Sequence, residues 1–451
     1  MNDFKWPDRN TAVLVFHGVG SQYPLATIDQ FARTLVDVLG EQYPDEIKLQ
    51  HCIARKSDKK GNAWNDNFIR ITKQDGRSPI DIYEYYWANL TENVMNLNDL
   101  QKWVWQVASG AERFYERNRE IGELYGDQSK FFTKDGKFRK GVYRSFLLGA
   151  VGVVPVYSAF WIWLSSFISK VIPFAGGLVK WIVDLVNKKA SDSLTNVIGD
   201  LAVYNSIDPK SSFYKIRSEI LSGAVDAVKY LIDLPGEQIT CNQEDIWSPH
   251  YGRVILAGHS LGSQIAFDAI NRLTQLISLR EIDGVGAGGD YIDHSGRSCA
   301  LKSGETNLKK IQDLLCGLVT FGSPLDKIAF FLREQAPDEQ YLRGQMLENN
   351  HSFKQKKWFD DSEVKYVLDP PFNRVFDDIK WYNFYDLGDP ISGYLDYYKN
   401  VVNKECSYKK KGHSFTHSDY WADSEMFRKI VDDFIAPKEP LRHEKVTAPS
   451  R

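Results

Sequence analysis

Short apolar runs, rich in β-branched residues and ending at glycine or polar residues, recur along this chain. The first, Thr11–Phe16, leads into a glycine-rich turn, which is typical of a buried parallel strand. Comparable runs predict further strands at Asn67–Thr72, Ile80–Tyr86, Arg253–Ala257, Leu315–Phe321 and Trp381–Tyr385. Because helical patterns lie between strands, we expect an α/β fold, a mainly parallel sheet with helices on both faces.

The helix after the first strand has a clear pattern. Thr27 and Gln30 form a capping-box pattern at its start, and Gly40 is expected to end it. Its apolar face consists of Ile28, Phe31, Leu35, Val38 and Leu39. We therefore expect one amphipathic helix here, packed against the sheet.

A long, mostly helical insertion, residues 90–245, separates the strands before it from the strand that begins at Arg253. Within it, Ser145–Ser169 contains no charged residue. A helix of that length measures about 37 Å, enough to cross a bilayer core of ~30 Å, although Pro155 would kink it. The basic residues that flank this run are Lys137, Arg139, Lys140, Arg144 and Lys170. We expect the segment 145–187 to associate with a membrane.

Two observations limit how this segment meets the membrane. Apolar residues from Phe174 to Leu185 share one helix face, with Lys180, Asp184 and Lys188 on the other, as in an interfacial helix. The strands before and after the insertion join one sheet, so the insertion crosses the membrane zero times or twice. We expect a re-entrant hairpin or an in-plane anchor; a helical subdomain buried in protein is the alternative.

The strand Arg253–Ala257 leads into Gly258-His259-Ser260-Leu261-Gly262, a G-x-S-x-G pattern followed by a helix. A sharp turn from strand to helix presents a serine in a strained conformation and leaves no room for neighbouring side chains, which explains the glycines. The pattern alone is weak, because chance produces it in roughly one chain in seven of this length. Its position between a strand and a helix makes Ser260 the predicted nucleophile.

Three further loops are expected to supply the rest of a catalytic site. His17-Gly18-Val19-Gly20 follows the first strand, so we expect the backbone N–H groups of Val19 and Leu261 to form an oxyanion hole. Asp389, in a Gly/Pro-containing loop, is the preferred acid, with Asp386 as the alternative. His417 is the preferred base, with His413 as the alternative. His17 and His259 are expected to position these loops.

The composition and charge of the chain limit the classes of protein to which it can belong. The chain has 451 residues, 43% hydrophobic and 25% charged, as in a globular protein with a sizeable core. A formal net charge of −3 provides no basic surface for nucleic acid. The scattered cysteines lack a CxxC pair, which indicates thiols in a reducing compartment. The histidines lack the spacing of metal ligands. We expect neither a metal nor a cofactor.

The motifs together resemble those of α/β-hydrolases of the lipase and esterase type. The matching segments are HGVG, GHSLG, VTFGSP, the D-P-I loop and H-x-x-Y-W, which together reach from Thr11 to Trp421. The segment His17–Gln22 also resembles the start of large bacterial hydrolases that carry a membrane-associated insertion. Two departures, the long insertion and the long stretch before Asp389, leave the substrate class open.

We therefore expect an α/β-hydrolase core in two parts, 1–89 and 246–436, interrupted by the insertion 90–245 and followed by a disordered tail, 437–451. No apolar signal segment precedes the first strand, so we expect the enzyme on the cytoplasmic side of a membrane. The expected reaction is hydrolysis of carboxylic esters, favouring lipid or phospholipid esters, through an acyl-enzyme on Ser260. An acyltransferase with the same triad, or an inactive scaffold that binds a lipid or protein partner, remains open; the oligomeric state is not indicated.

Overall fold

The structure of the protein is a computed structural model. It describes residues 5–19, 23–53, 67–91, 97–125, 131–148, 199–206, 210–234, 239–241, 244–246, 250–278, 290–292, 298–300, 312–332, 336, 338–340, 343, 379–389, 391–395, 398, 400–408 and 416–437. Within these ranges the chain is organised around one large sheet of eight strands, with helices packed on both faces.

The described strands are β1 (Thr11–Phe16), β2 (Ile47–Ile53), β3 (Asn67–Lys73), β4 (Ile80–Tyr85), β5 (Ile239–Cys241), β6 (Glu244–Ile246), β7 (Arg253–His259), β8 (Asp290–Ile292), β9 (Ser298–Ala300), β10 (Leu315–Phe321), β11 (Lys380–Tyr385) and β12 (Val401–Glu405). The main sheet has the order β2-β3-β4-β1-β7-β10-β11-β12, while β5 pairs with β6 and β8 with β9. The pairs from β4 to β12 are parallel, and β3 is antiparallel to both of its neighbours. The sheet is therefore mixed but mostly parallel, as the sequence predicted.

The described α-helices with named bounds are α1 (Ala26–Gly40), α2 (Leu97–Arg117), α3 (Arg119–Tyr125), α4 (Lys140–Leu148), α5 (Ser212–Asp233), α6 (Leu261–Ser278), α7 (Ile328–Leu332) and α8 (Ser424–Ile430), and a π-helical turn, Val431–Ile435, follows α8. Residues 199–204 are also helical. Short 3-10 turns cover Ala88–Leu90, Leu325–Lys327, Asp338–Gln340 and Asp419–Ala422.

Each face of the sheet carries an apolar core. Alternate residues of β1 divide between them, because successive side chains of a strand point to opposite faces. Val13 and Val15 lie in the core covered by α1 and α8, where the Phe31 and Phe427 rings are 4.8 Å apart. Leu14 belongs to the other core, which α2, α4, α5 and α6 cover. Both faces of the central strands are thus buried.

The start of α1 corrects one prediction. Thr27 lies inside the helix and is buried, so the expected capping box does not form. The helix is instead preceded by Leu25, whose φ is 70° and whose N–H donates to Glu84 Oε2 at 2.6 Å. A tertiary contact from β4 therefore replaces the local cap, and Gly40 is the last helical residue rather than the stop beyond it.

The insertion is firmly joined to the core at both ends. On one side, Trp103 of α2 packs against Phe331 of α7, with ring centroids 5.3 Å apart. On the other, α5 packs along α6, and the Tyr85 hydroxyl donates to the Ile220 carbonyl at 2.5 Å. The predicted limits 1–89, 90–245 and 246–436 stay predictions.

The membrane prediction concerns residues that the structure mostly does not describe. Of the segment 145–187, only 145–148 fall in the described ranges, at the end of α4. Among the described helices, none combines the length and the apolar character that a membrane span requires. The predicted tail 437–451 lies outside the described residues after Pro437.

Candidate active site

The predicted site residues meet at one edge of the sheet, where its parallel strands end. Phe16, the last residue of β1, pairs with Gly258 of β7, and His259 pairs with Phe321, the last residue of β10. The loops that follow β1, β7, β10 and β11 therefore leave the sheet side by side. Such an edge of an α/β sheet is where ligands commonly bind.

Ser260 forms the turn between β7 and α6. Its φ is 54°, in the left-handed region that residues other than glycine rarely adopt. Its N–H donates to the Phe321 carbonyl at 3.0 Å, and its carbonyl accepts from the Ser263 N–H at 2.9 Å. Its buried Oγ has no hydrogen-bond partner among the described residues, although an unsatisfied buried polar group costs roughly 1–3 kcal/mol. Stability alone therefore does not explain this serine.

The two glycines of the G-x-S-x-G pattern are required by space. A Cβ on Gly262 would lie 2.2 Å from the Phe16 carbonyl oxygen, and a Cβ on Gly258 would lie 2.6 Å from the Gly262 carbonyl oxygen. Backbone atoms cannot move aside as a flexible side chain can. The start of α6 is consequently packed directly against the end of β1, which brings Ser260 to the loop that follows β1.

That loop begins with His17, whose tautomer follows from its contacts. The Trp87 N–H can only donate, so Nε2 of His17 accepts at 3.1 Å and the ring proton is on Nδ1, which donates to the Gly18 carbonyl at 2.7 Å. Burial lowers the pKa of His17 to about 4, so the ring is neutral. In a trans peptide the N–H points opposite to the C=O. Holding the Gly18 carbonyl therefore directs the Val19 N–H to the other side of that peptide.

Val19 and Leu261, the predicted oxyanion donors, both lie beside Ser260. A Cβ on Gly18 would be 2.8 Å from the Ser260 Cβ, so the peptide that carries the Val19 N–H is in close contact with the serine. Leu261 is the first residue of α6, where N–H groups have no partner inside the helix and the helix dipole favours negative charge. The arrangement suits the binding of an anionic oxygen.

Asp389 and His417, the preferred acid and base, form a hydrogen-bonded pair. Oδ2 of Asp389 accepts from Nδ1 of His417 at 2.8 Å, and Oδ1 accepts from the Ile391 N–H at 2.9 Å. Burial raises the pKa of Asp389, but His417, these hydrogen bonds and nearby Lys327 outweigh it, so the pKa is lower than usual. An ionised carboxylate can only accept, so Nδ1 carries the proton and Nε2 is the nitrogen that can take another. The structure shows no hydrogen bond between Nε2 and Ser260 Oγ.

Asp386, the alternative acid, makes different hydrogen bonds. Its carboxylate accepts from the Gly388 N–H at 2.7 Å and from the Thr416 hydroxyl at 3.0 Å. It thereby ties the loop of Asp389 to the residue before His417. The structure thus brings Asp389, and not Asp386, to His417; His413 lies outside the described residues.

His259 supports the base from the side of β7. Its Nε2 lies 2.8 Å from the His417 carbonyl, which can only accept, so His259 donates. Its ring is 4.8 Å from the His417 ring and 5.1 Å from the Trp421 ring. Burial and then the neighbouring charge of His417 lower the pKa of His259 to about 3. A neutral His259 positions the His417 backbone, in the role that the sequence predicted.

Two residues of the site were not predicted. Trp87 follows β4 and fixes His17 through its N–H and through its indole, which donates to the His17 carbonyl at 3.2 Å. Tyr420 contacts both acidic residues through its hydroxyl. The only sequence signal for them is position: Trp87 lies just after a strand end, and Tyr420 lies in the H-x-x-Y-W segment. In the part of the chain that the structure describes, no cluster of His, Cys, Asp and Glu side chains could hold a metal.

Comparisons with protein-family models, with curated proteins and with solved structures found no match for this chain. The resemblance of its motifs to those of lipases and esterases therefore stays a prediction.

Proposed function

We propose that this protein is a serine hydrolase of the α/β-hydrolase kind, which cleaves carboxylic esters with Ser260, His417 and Asp389. The observation that carries the proposal is the strained turn at Ser260 at the same edge of the sheet as the hydrogen-bonded pair of His417 and Asp389, where the neighbouring His259 donates to the His417 carbonyl. Backbone strain in folded proteins concentrates at functional sites. A histidine oriented by a carboxylate is the group that activates a serine hydroxyl.

The proposed reaction has two halves. In the first, Ser260 Oγ attacks the ester carbonyl carbon while His417 Nε2 takes the hydroxyl proton, and the N–H groups of Val19 and Leu261 stabilise the oxyanion. The ester C–O bond then breaks, and the alcohol leaves with the proton from His417. In the second half, water attacks the acyl-enzyme in the same way, releasing the carboxylic acid and restoring Ser260.

Lipid or phospholipid acyl esters are the proposed substrates, at the cytoplasmic side of a membrane. The uncharged run Ser145–Ser169 and its basic flanks support this. The described residues on either side of this run also support the membrane proposal, because Tyr143 of α4 and Leu201 are both buried in the same core. The chain between them starts and finishes on one face of the sheet, as a membrane anchor with no net crossing requires.

A fluorophosphonate probe tests the proposal, because it labels only an activated serine. We expect the wild-type protein to be labelled and Ser260→Ala not to be. Ser418→Ala is the matched control, since Ser418 is exposed and adjacent to His417, and it should be labelled like wild type. Wild type should also release free acid from p-nitrophenyl butyrate. Equal labelling of wild type and Ser260→Ala, or none of either, contradicts the proposal.

A further inference from the structure

The hydroxyl of Tyr420 links the two acidic residues of the site. It accepts from the Asp386 N–H at 3.0 Å and lies 3.1 Å from Asp389 Oδ2. Because an ionised carboxylate can only accept, the phenol proton is donated to Oδ2. Tyr420 has no exposed surface, and burial raises its pKa well above the ordinary value, so the phenol keeps this proton.

One oxygen of Asp389 therefore receives two donors. Oδ2 accepts from His417 Nδ1 at 2.8 Å and from the Tyr420 hydroxyl at 3.1 Å. Donors that share one acceptor compete for its negative charge, and in a buried site this competition is not screened by water. The Tyr420 bond thus weakens the attraction of Asp389 for a protonated His417 while it helps to keep Asp389 ionised.

The fold holds the Tyr420 ring in place from several sides. Its centroid is 5.3 Å from that of Tyr408 and 6.2 Å from that of Phe321. Gly322, with φ of 60°, contributes no side chain, and a Cβ there would lie 3.1 Å from Tyr420 Cε2. Tyr420 follows His417 within a single turn of chain, so the base and this donor are positioned together.

We propose that Tyr420 is a positioning residue that sets the proton affinity of His417 by drawing charge from Asp389 Oδ2. Its meaning for catalysis rests on the proposed serine-hydrolase function. The hydrogen-bond geometry itself does not depend on that function. The proposal can therefore be tested both by kinetics and by a measurement that needs no turnover.

The test compares wild type with Tyr420→Phe and with Tyr408→Phe. Tyr408 is the matched control, because it donates to a different carboxylate, Asp423 Oδ2, at 2.5 Å and touches the Tyr420 ring. The titration of His417 is followed by NMR on the full chain with 15N-labelled histidine, and its signals are assigned with His417→Gln. We expect Tyr420→Phe to raise the titration midpoint by about half a pH unit, and Tyr408→Phe to leave it unchanged.

Kinetics on p-nitrophenyl butyrate provide the second measurement. We expect Tyr420→Phe to move the acid limb of the pH profile upward like the NMR midpoint, and so to lower kcat by up to about threefold on that limb with little change in KM. An inactive wild type contradicts the proposed function, but the NMR midpoint still decides the role of Tyr420. An unchanged midpoint overturns the inference, even if activity falls.

A second variant covers the case in which Tyr420→Phe does not fold, since it leaves the buried Asp386 N–H without an acceptor. Placing 3-fluorotyrosine at position 420 keeps the hydroxyl but makes it a stronger donor. We expect the His417 midpoint to fall by a few tenths of a pH unit, opposite in sign to the effect of Tyr420→Phe. A midpoint that stays fixed or rises overturns the inference.

Discussion

Asp389, in the loop after β11, and Asp268, on α6, are both buried carboxyl groups, but their surroundings differ. Asp389 receives hydrogen bonds from His417, Tyr420 and the Ile391 N–H. Asp268 faces the insertion, where the Tyr204 hydroxyl donates at 3.0 Å and an Arg217 nitrogen stands 3.9 Å away. Among the described residues, Asp389 therefore has several close donors, whereas Asp268 has one donor and a more distant charge.

This difference decides which group is ionised. Burial raises the pKa of both, since a low dielectric disfavours the charged form. For Asp268 the effect of burial is larger than the opposing effects of Arg217 and Tyr204, and it raises the pKa to about 7. For Asp389 the combined effect of His417 and the hydrogen bonds is larger than the effect of burial, so the pKa is lowered. A buried carboxylate stays charged only where donors are already arranged around it, which is also what orienting a catalytic histidine requires.

The largest expected effect comes from neutralising each carboxyl group in turn. Asp389→Asn should lower kcat by about 10³- to 10⁴-fold, because an amide can donate to Nδ1 and favour the wrong histidine tautomer. Asp268→Asn should change kcat by less than about twofold, because Asn can still accept from Tyr204. Hydrolysis of p-nitrophenyl butyrate at pH 7 measures both. Similar losses in the two variants would remove the functional distinction between the two regions.

The next effect concerns stability against pH. Asp268 has a folded pKa of about 7, above the ordinary 3.8, so the folded state binds its proton more tightly. Its contribution is complete at low pH and is lost as the pH rises through 7. Between pH 5 and 8, wild type should lose about 2.5 kcal/mol of unfolding free energy relative to Asp268→Asn. Urea unfolding at several pH values measures this.

Asp389 should show the opposite sign. Its lowered pKa means that its contribution is present above the ordinary carboxyl range and is lost as the pH falls through the folded value. The stability difference between wild type and Asp389→Asn should therefore shrink as the pH falls below the ordinary carboxyl range, where the contribution of Asp268 is complete. If the Asp389 difference grew in acid, as the Asp268 difference does, burial alone would govern the two groups.

The smallest expected effect comes from one hydroxyl in each region. Thr416→Val removes the bond to Asp386, and we expect a three- to tenfold loss of kcat with about 1 kcal/mol of stability. Thr274→Val, on the same helix as Asp268, removes a bond to the Ile270 carbonyl and should cost similar or less stability, with unchanged kcat. Urea unfolding and ester hydrolysis together separate the two. Equal kcat losses would show that the site is not specially sensitive to its loop contacts.

The sequence predicted the parts of the fold that depend on local pattern. The central strands β1, β4, β7, β10 and β11 are buried and mostly apolar, and the structure has all of them within about two residues of the expected bounds. The turn at Ser260 could also be predicted from the sequence, because backbone contacts on either side of the serine require its two glycines. Local chemistry and the final structure agree at these positions.

Contacts between distant segments could not be predicted. The edge strands β2 and β12 were missed, because their side chains are exposed or half-buried and lack a clear apolar period. The capping box at Thr27 failed because Glu84, from another strand, binds the chain before α1. The choice of Asp389 over Asp386 was open for the same reason: both follow one strand, and only the path of the loop brings one of them to His417.

The left-handed turn at Ser260 also limits how this site can evolve. A β-branched residue at positive φ is a genuine outlier, so threonine is excluded there although it offers the same hydroxyl group. Glycine would relax the turn but would leave no atom to carry an acyl group. Serine and cysteine, small and unbranched at Cβ, are among the nucleophiles that this backbone admits. The chemistry open to mutation at this position is thus restricted by a single backbone angle.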